Sequence, residues 1–105
     1  MEISSPNDSL EYQLLIIDPG FDLWFQTLAK PKEFYTQNYY ENWNRLYVAE
    51  WNTRYNSGKN TDIIESYVYY SAATDYGLEL NYQLYNYFQY LEASVILVLI
   101  HRKGK

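Results

Sequence analysis

Five large aromatic side chains recur at helical spacing between Thr36 and Gly58, and this repeat constrains the fold more than any other feature of the sequence. At about 100° per residue they fall on one face of a helix, and mainly polar side chains fall on the opposite face. Thr36 is suited to be the N-cap, and Gly58 to be the residue just beyond the helix end. The pattern therefore predicts an amphipathic helix of about 20 residues that docks by its aromatic face. That face consists of Tyr40, Trp43, Tyr47, Trp51 and Tyr55.

Two charged residues lie on or beside this aromatic face. Glu50 and Arg54 are four residues apart, in the order that favours an ion pair on a helix. We expect the two side chains to form a partly buried ion pair beneath the aromatic rim. The alternative is that Arg54 binds a carboxylate or phosphate group of a ligand.

Aromatic residues make up 20% of the chain, with 14 Tyr, 3 Trp and 4 Phe. This composition has two interpretations, because a tyrosine has an apolar ring and a polar hydroxyl group. Tyrosine can take the place of Leu and Ile in the core and at its rim. Alternatively, aromatic and amide side chains can form a surface that recognises a ligand. On the second interpretation the ligand-binding residues are Trp24, Trp51, Asn52 and Arg54.

Three stretches have the apolar and β-branched composition of strands, namely residues 10–18, 63–70 and 95–100. Two helices are predicted besides the aromatic one: a short helix that ends before Pro31 and a longer one over residues 76–92. The element order is therefore β-α-α-β-α-β. This order predicts an α/β (or α+β) fold with a small three-stranded sheet and about three helices. Crossovers of this kind favour parallel neighbouring strands.

The last predicted helix has apolar side chains on two opposite faces. One face packs on the core, and the second stripe consists of Leu78, Tyr82 and Tyr85. A surface helix needs only one buried face. Either this helix lies between two layers of its own chain, or the second stripe is the interface of a homodimer.

The length allows one domain, which we expect over residues 10–101, with a flexible lead-in at 1–9 and a short basic tail at 102–105. We expect this tail to be a solvated end and not a binding arm. The chain has 8 basic and 13 acidic residues, and three of the basic residues lie in the tail. Binding to nucleic acid is not expected, because a phosphate backbone needs clustered Lys and Arg. The longest apolar run, 95–100, is far shorter than the roughly 20 residues of a transmembrane helix.

Few residues of this chain can carry catalysis or hold a cofactor. Cysteine is absent and His101 is the single histidine. This composition excludes Cys-ligated and His-rich metal sites. The sequence has no Gly-x-Ser-x-Gly motif that would place a nucleophilic serine for His101 to activate. The glycines form neither a phosphate-binding loop nor a dinucleotide fingerprint. We therefore expect no metal and no cofactor.

Two carboxylates follow the first predicted strand. Asp18 precedes Pro19 and Gly20, which stop the strand, and either Asp18 or Asp22 can cap the next helix. We expect this turn to be structural. The alternative is that Asp18 and Asp22 form a catalytic pair, since ligand sites of open α/β sheets lie at the carboxyl ends of strands.

Three stretches resemble a known family: EYQLLIIDPGFDLWF, YVAEWNTRY and DYGLELNYQLYNYF. The family consists of small, uncharacterised bacterial domains, and the resemblance runs from about residue 10 to residue 90. It implies no activity and no catalytic residues. Its members often look like envelope proteins with a lipoprotein-type leader. No leader and no lipid-bearing cysteine are visible in this sequence, so we expect a place in the envelope if a leader was removed and in the cytoplasm otherwise.

Together these observations favour a non-catalytic binding or protein-interaction module with an aromatic and amide-rich surface. Its partner would be a small ligand or a protein. The alternative from another class is a small hydrolase that uses Asp18 and Asp22.

Overall fold

This computed structural model describes residues 1–5 and 11–103. These residues fold into three α-helices and one two-stranded antiparallel sheet, joined by turns and loops. The mixture of helix and sheet and the three helices agree with the sequence prediction. The elements are β1 (Glu2–Ser4), β2 (Gln13–Leu15), α1 (Pro19–Leu28), α2 (Gln37–Asn56) and α3 (Gly77–Tyr90). A 3-10 turn at Lys32–Phe34 precedes α2, and a π-helical turn at Leu91–Val95 follows α3.

Helix α2 is the predicted aromatic helix. The Thr36 hydroxyl accepts a hydrogen bond from the backbone N–H of Tyr39 at 3.1 Å, so Thr36 is the N-cap. Beyond the other end, Gly58 has a φ of 71°, the left-handed conformation that favours glycine after a helix. Tyr40, Tyr47 and Trp51 are buried. The prediction is confirmed for both ends and for three of the five aromatic residues, whereas Trp43 is half-buried and Tyr55, near the end of the helix, is 41% exposed.

The turn before α1 is structural, as expected. The Asp18 carboxylate accepts hydrogen bonds from the backbone N–H of Gly20 at 3.0 Å and of Phe21 at 3.3 Å, and Pro19 opens the helix. The Tyr90 hydroxyl donates to the same carboxylate at 3.2 Å. A Cβ atom on residue 20 would lie 2.5 Å from the Tyr90 hydroxyl oxygen. Gly20 therefore allows α3 to approach this turn closely.

Helix α3 lies at the core and contacts α1, α2 and β2. Every residue from 84 to 91 is buried, so this part of the helix is covered all round. Its second stripe is covered within the same chain. Tyr82 packs on Phe25 and Tyr40 and donates its hydroxyl to the Lys30 carbonyl at 2.5 Å, and Tyr85 is buried against Tyr40. The apolar stripe thus gives no reason for a dimer, and dimerisation stays a prediction.

The sheet differs from the predicted one. Strand β2 occupies the middle of the predicted strand 10–18, but its partner β1 lies in the stretch 1–9 that we expected to be a flexible lead-in. The two strands are antiparallel, with Ile3 opposite Leu14. The expectation of three parallel strands is therefore wrong. Residues 6–10, which include the rest of the lead-in, lie outside the described residues.

The predicted strand 63–70 is not part of the described sheet. Its burial alternates as in a strand, with Ile64 and Val68 buried. However, side chains of α2 provide the hydrogen bonds. The Trp51 indole N–H donates to the Ser66 carbonyl at 2.8 Å, and the Asn52 amide donates to the Val68 carbonyl and accepts from the Val68 N–H, both at 2.8 Å. The pattern therefore gave the correct buried face and the wrong hydrogen-bond partner.

The predicted strand 95–100 is also wrong. The chain leaves α3 through the π-helical turn, and Ile96 has a left-handed φ of 58°. The backbone N–H of Leu97 then donates to the Leu91 carbonyl at 2.9 Å. Beyond this turn Leu97 and Leu99 are buried, and the Arg54 guanidinium donates to the Val98 carbonyl at 3.1 Å. As in segment 63–70, a side chain of α2 bonds a backbone group that a neighbouring strand would bond in a sheet. Among the described helices, none is both long enough and apolar enough to cross a bilayer.

Candidate functional site

An open cleft of about 830 Å³ lies between the end of α1, the first half of α2, α3 and the C-terminal segment 100–103. Seven of its 18 lining residues are Tyr or Trp, and they come from all three helices and from the loop before α2. These rings belong to Trp24, Tyr35, Tyr39, Tyr40, Trp43, Tyr82 and Tyr85. We call this feature the aromatic cleft.

The aromatic wall is formed where the stripe of α2 meets the second stripe of α3. The rings of Tyr40 and Tyr85 pack with their centroids 5.2 Å apart. Tyr35 and Tyr39 stack almost parallel, with centroids 3.8 Å apart. Rings that pack on one another in this way have little rotamer freedom left to lose when a ligand binds. The cleft is therefore largely preorganised.

Arg102 belongs to the C-terminal segment, and its side chain lies against the aromatic wall. Its Nη1 donates to the hydroxyl of Tyr85 at 2.7 Å and, more weakly, to that of Tyr47 at 3.4 Å, and its Nη2 donates to the Tyr39 hydroxyl at 2.8 Å. Its guanidinium lies 3.8 Å from the centroid of the Trp43 ring, which is a cation–π contact. The sequence suggested that the basic tail is a solvated end. For Arg102 this is wrong, while residues 104–105 lie outside the described residues.

The electrostatics of Arg102 keep a positive charge in the cleft. Desolvation lowers the pKa of the guanidinium, but the hydrogen bonds to Tyr47 and Tyr85 raise it more, so the net shift is upward. For Tyr39 the balance is the reverse. Desolvation raises the pKa of its hydroxyl, and the contacts with Tyr85 and Arg102 outweigh that effect, so the pKa lies below the usual value of tyrosine.

Gln89 of α3 also lines the cleft, and only 9% of its surface is exposed. Its Nε2 donates to the Tyr85 carbonyl at 3.1 Å. Its Oε1 is buried and has no hydrogen-bond partner within residues 1–5 and 11–103. Exchanging the two ends of the amide would place an oxygen against the Tyr85 carbonyl oxygen, so the contact with Tyr85 fixes the orientation. Gln89 is therefore a residue of the cleft lining whose buried acceptor lacks a donor among the described residues.

The charge of the cleft is opposite in sign to that of the chain. Lys30, Arg102 and Lys103 line it against one carboxylate, Glu92, whereas the chain has a formal net charge of −5. The Lys30 ammonium lies over the Phe34 ring, 4.5 Å from its centroid. The ion pairs between described residues include neither Arg102 nor Lys103. The cleft is thus a positive region on an acidic protein.

The four residues predicted to bind a ligand do not come together. Trp24 lines the aromatic cleft, whereas Trp51 is fully buried and, like Asn52, is hydrogen-bonded to the segment 63–70. Arg54 pairs with Glu50 at 2.6 Å, which confirms the predicted ion pair. It also donates to the side chain of Asn60 at 3.2 Å, in addition to its bond with the Val98 carbonyl. These contacts place Arg54 in a structural role.

The two aspartates of the hydrolase alternative also lie apart from the aromatic cleft. Asp18 borders a second cavity of about 450 Å³, together with Glu2, Asp62 and Glu65, and Asp22 does not line it. The Met1 ammonium pairs with Glu65 at 2.6 Å in that region. Among the residues that the structure describes, no group of three or more His, Asp or Glu side chains could hold a metal ion. The Asp18 carboxylate is used as a helix cap.

Sequence reasoning missed two of the most informative residues of the cleft, Gln89 and Arg102. A signal for Gln89 was present, because an amide stands four residues after Tyr85 on a helix whose neighbouring positions are aromatic or aliphatic. For Arg102 the only signal was its place directly after an apolar run. Nothing in the local pattern shows that the run folds back onto α2.

The comparisons with known proteins agree with the earlier resemblance at the level of the family. A family model described as a family of unknown function, DUF6146, matches residues 3–101, nearly the whole chain. No curated protein and no solved structure matches the chain. The chain therefore belongs to this family of unknown function.

Proposed function

We propose that this protein is a non-catalytic binding module that takes a small ligand into the aromatic cleft. The volume of about 830 Å³ lies within the range of about 300–1,000 Å³ that is usual for small-molecule sites. The lining fits such a site as well, since it combines seven Tyr and Trp side chains with polar and charged groups that can orient a ligand. The proposal keeps the aromatic and amide character predicted from the sequence and retains Trp24, while other residues replace Trp51, Asn52 and Arg54.

The observation that carries the proposal is the unpartnered Oε1 atom of Gln89. A buried polar atom without a partner costs about 1–3 kcal/mol, so native proteins rarely keep one without a reason. Gln89 lines the cleft, its Oε1 is buried, and the Nε2 of the same amide donates to the Tyr85 carbonyl. A ligand that donates one hydrogen bond would remove this cost on binding.

An anionic aromatic dye, 8-anilinonaphthalene-1-sulfonate, tests the proposal directly. Its fluorescence should rise when it binds the folded protein at neutral pH. The matched variants are Ala93→Trp, which fills the cleft, and Ala49→Trp, which adds the same ring at an exposed position of α2 that does not line the cleft. We expect Ala93→Trp to weaken binding by at least about tenfold, or about 1.4 kcal/mol, and Ala49→Trp to have no effect.

Two outcomes would contradict the proposal. The dye could fail to bind the native protein, or both variants could bind it as tightly as the wild type. Circular dichroism of each variant shows that the helices remain folded. Nothing in the geometry of Asp18 and Asp22 favours the hydrolase alternative, and the bacterial and envelope character implied by the resemblance stays a prediction.

A further inference from the structure

We propose that the ligand of the aromatic cleft is a small carboxylate that also carries an N–H donor and an apolar ring. This inference rests on the proposed function, because it assigns a chemical class to the same site. Three features carry it: two donors of Arg102 and one acceptor of Gln89 that have no partner among the described residues, and the aromatic side chains that line the cleft.

The carboxylate is assigned from the hydrogen bonds of Arg102. A guanidinium has five N–H donors. Three of them point to tyrosine hydroxyls, two from Nη1 and one from Nη2. The donor on Nε and the second one on Nη2 have no acceptor among the described residues. Two donors on one planar group match the two oxygens of a carboxylate.

The surrounding charges favour an anion over a neutral ligand. Lys30 and Lys103 line the same cleft as Arg102, and Glu92 is the one carboxylate among the described lining residues. Charged groups in a concave site that is partly shielded from water interact more strongly than on an open surface. A ligand with one negative charge is therefore favoured here, although the protein as a whole would repel it at long range.

The N–H donor is assigned from Gln89. Its Oε1 can only accept, and its Nε2 is already bonded to the Tyr85 carbonyl. A ligand N–H would therefore be recognised by this atom. A site built to receive a hydrogen bond discriminates strongly against an analogue that lacks the donor, because the buried acceptor then stays unpaired.

The apolar ring of the ligand is assigned from the aromatic side chains that line the cleft. Trp24 and Trp43 are half-buried and line the cleft, and aromatic pairs gain about 0.5–1.5 kcal/mol beyond the burial of their area. Arg102 already covers part of the Trp43 ring. The exposed part of the wall can accept one further planar group.

N-benzoylglycine has all three groups and is a suitable probe for calorimetric titration. Its uncharged amide, N-benzoylglycinamide, lacks the carboxylate, and N-benzoylsarcosine lacks the N–H. We expect each analogue to bind at least about tenfold more weakly than N-benzoylglycine. The Gln89→Met variant should weaken N-benzoylglycine by a similar factor and leave N-benzoylsarcosine unchanged, because only the former donates to Oε1.

The charge is tested with Lys103→Gln and a matched control, Lys59→Gln, at an exposed position that does not line the cleft. Lys103→Gln should weaken N-benzoylglycine severalfold and leave the amide unchanged. Because these comparisons use ligand analogues and exposed positions, they do not depend on replacing Arg102, which could disturb folding.

The inference is overturned if the amide binds the cleft as tightly as the acid, or if the sarcosine analogue binds as tightly as N-benzoylglycine. It is also overturned if inorganic phosphate displaces the dye more effectively than N-benzoylglycine does. These outcomes leave the proposed binding function standing when Ala93→Trp still weakens binding of the dye. If the dye binds the Ala93→Trp variant as tightly as the wild type, the proposed binding function itself is contradicted.

Discussion

Asp18 joins two helices through one carboxylate. It caps α1 through the N–H groups of Gly20 and Phe21, and it accepts the hydroxyl of Tyr90 from α3. Removing it leaves the Gly20 N–H and the Tyr90 hydroxyl without this acceptor, whereas the Phe21 N–H keeps its bond to the Asp18 carbonyl at 3.1 Å. The side chain therefore has a larger structural role than an ordinary first-turn acid.

We predict that Asp18→Ala lowers the free energy of unfolding by about 1–2 kcal/mol, the upper part of the range for an N-cap. The matched control is Asp22→Ala in the first turn of the same helix, where only the interaction with the helix dipole of a few tenths of a kcal/mol is lost. Urea unfolding of both variants measures the difference. Equal losses would show that the cap and the Tyr90 contact contribute nothing.

Arg54 connects helix α2 to two other parts of the chain. It pairs with Glu50 and donates to Asn60 and to the carbonyl of Val98. We predict that Arg54→Ala costs about 1–2 kcal/mol, more than the ~0.5 kcal/mol of an exposed helical ion pair.

Arg45→Ala is the control for Arg54, because Arg45 is exposed on the same helix and, among the described residues, its side chain donates to Asn42 one turn away. Its expected cost is below about 0.5 kcal/mol. Similar stabilities of the two variants in chemical denaturation would contradict the structural role of Arg54.

At the scale of elements, the helices could be predicted from the sequence and the second and third strands could not. Capping at Thr36 and Asp18 is local chemistry, and the aromatic period of α2 is a local pattern. In contrast, alternation over 63–70 shows which side chains are buried but not what bonds the backbone. Here Trp51 and Asn52 fill the role that a third strand would have had. The sheet could not be predicted because this choice depends on tertiary contacts.

The same limit applies to the aromatic cleft. The stripes of α2 and α3 that form its wall were visible as helical faces. The approach of Arg102 to Trp43 was not, because it depends on the left-handed turn at Ile96. A β-branched residue with positive φ is disfavoured, so composition predicted a strand across 95–100 where the chain turns instead.

Ile96 provides a test of this turn. It has a φ of 58° and is 78% exposed, so it is strained and buries little surface. We predict that Ile96→Gly raises the free energy of unfolding by about 1 kcal/mol, because glycine adopts this conformation without a steric penalty.

Ile17→Gly is the matched control, since Ile17 is 87% exposed and is not among the described residues with positive φ. The control should be neutral or destabilising, because glycine increases the entropy of the unfolded chain. Thermal unfolding of both variants compares the two positions. A loss of stability in Ile96→Gly as large as in Ile17→Gly would contradict the left-handed turn.

At the scale of the whole molecule, buried tyrosines couple stability to alkaline pH. Burial raises the pKa of Tyr85 and of Tyr87 above the usual value of about 10. Above pH 10 the unfolded chain loses these protons first, so the native state binds more protons and stability falls as pH rises. The stabilisation is complete below about pH 10 and is lost as pH rises towards the native pKa values.

We predict a decrease of up to about 1.4 kcal/mol per pH unit for each such tyrosine above pH 10. Tyr87→Phe keeps the ring and removes one titrating group, so its stability should fall less steeply over the same range. Urea unfolding at pH 8, 10 and 11 measures both slopes. The prediction fails if wild type and variant lose stability in parallel.

The central claim is that the aromatic cleft is a ligand site, and the three tryptophans test it most directly. Trp24 and Trp43 line the cleft, whereas Trp51 is fully buried and its indole N–H is bonded to Ser66. Titration with N-benzoylglycine can be followed by the three indole N–H signals in a ¹H–¹⁵N spectrum, assigned with single Trp→Phe variants. We predict that the signals of Trp24 and Trp43 shift with a common binding curve while that of Trp51 stays in place. Three unmoved signals, or a shift confined to Trp51, would contradict the claim.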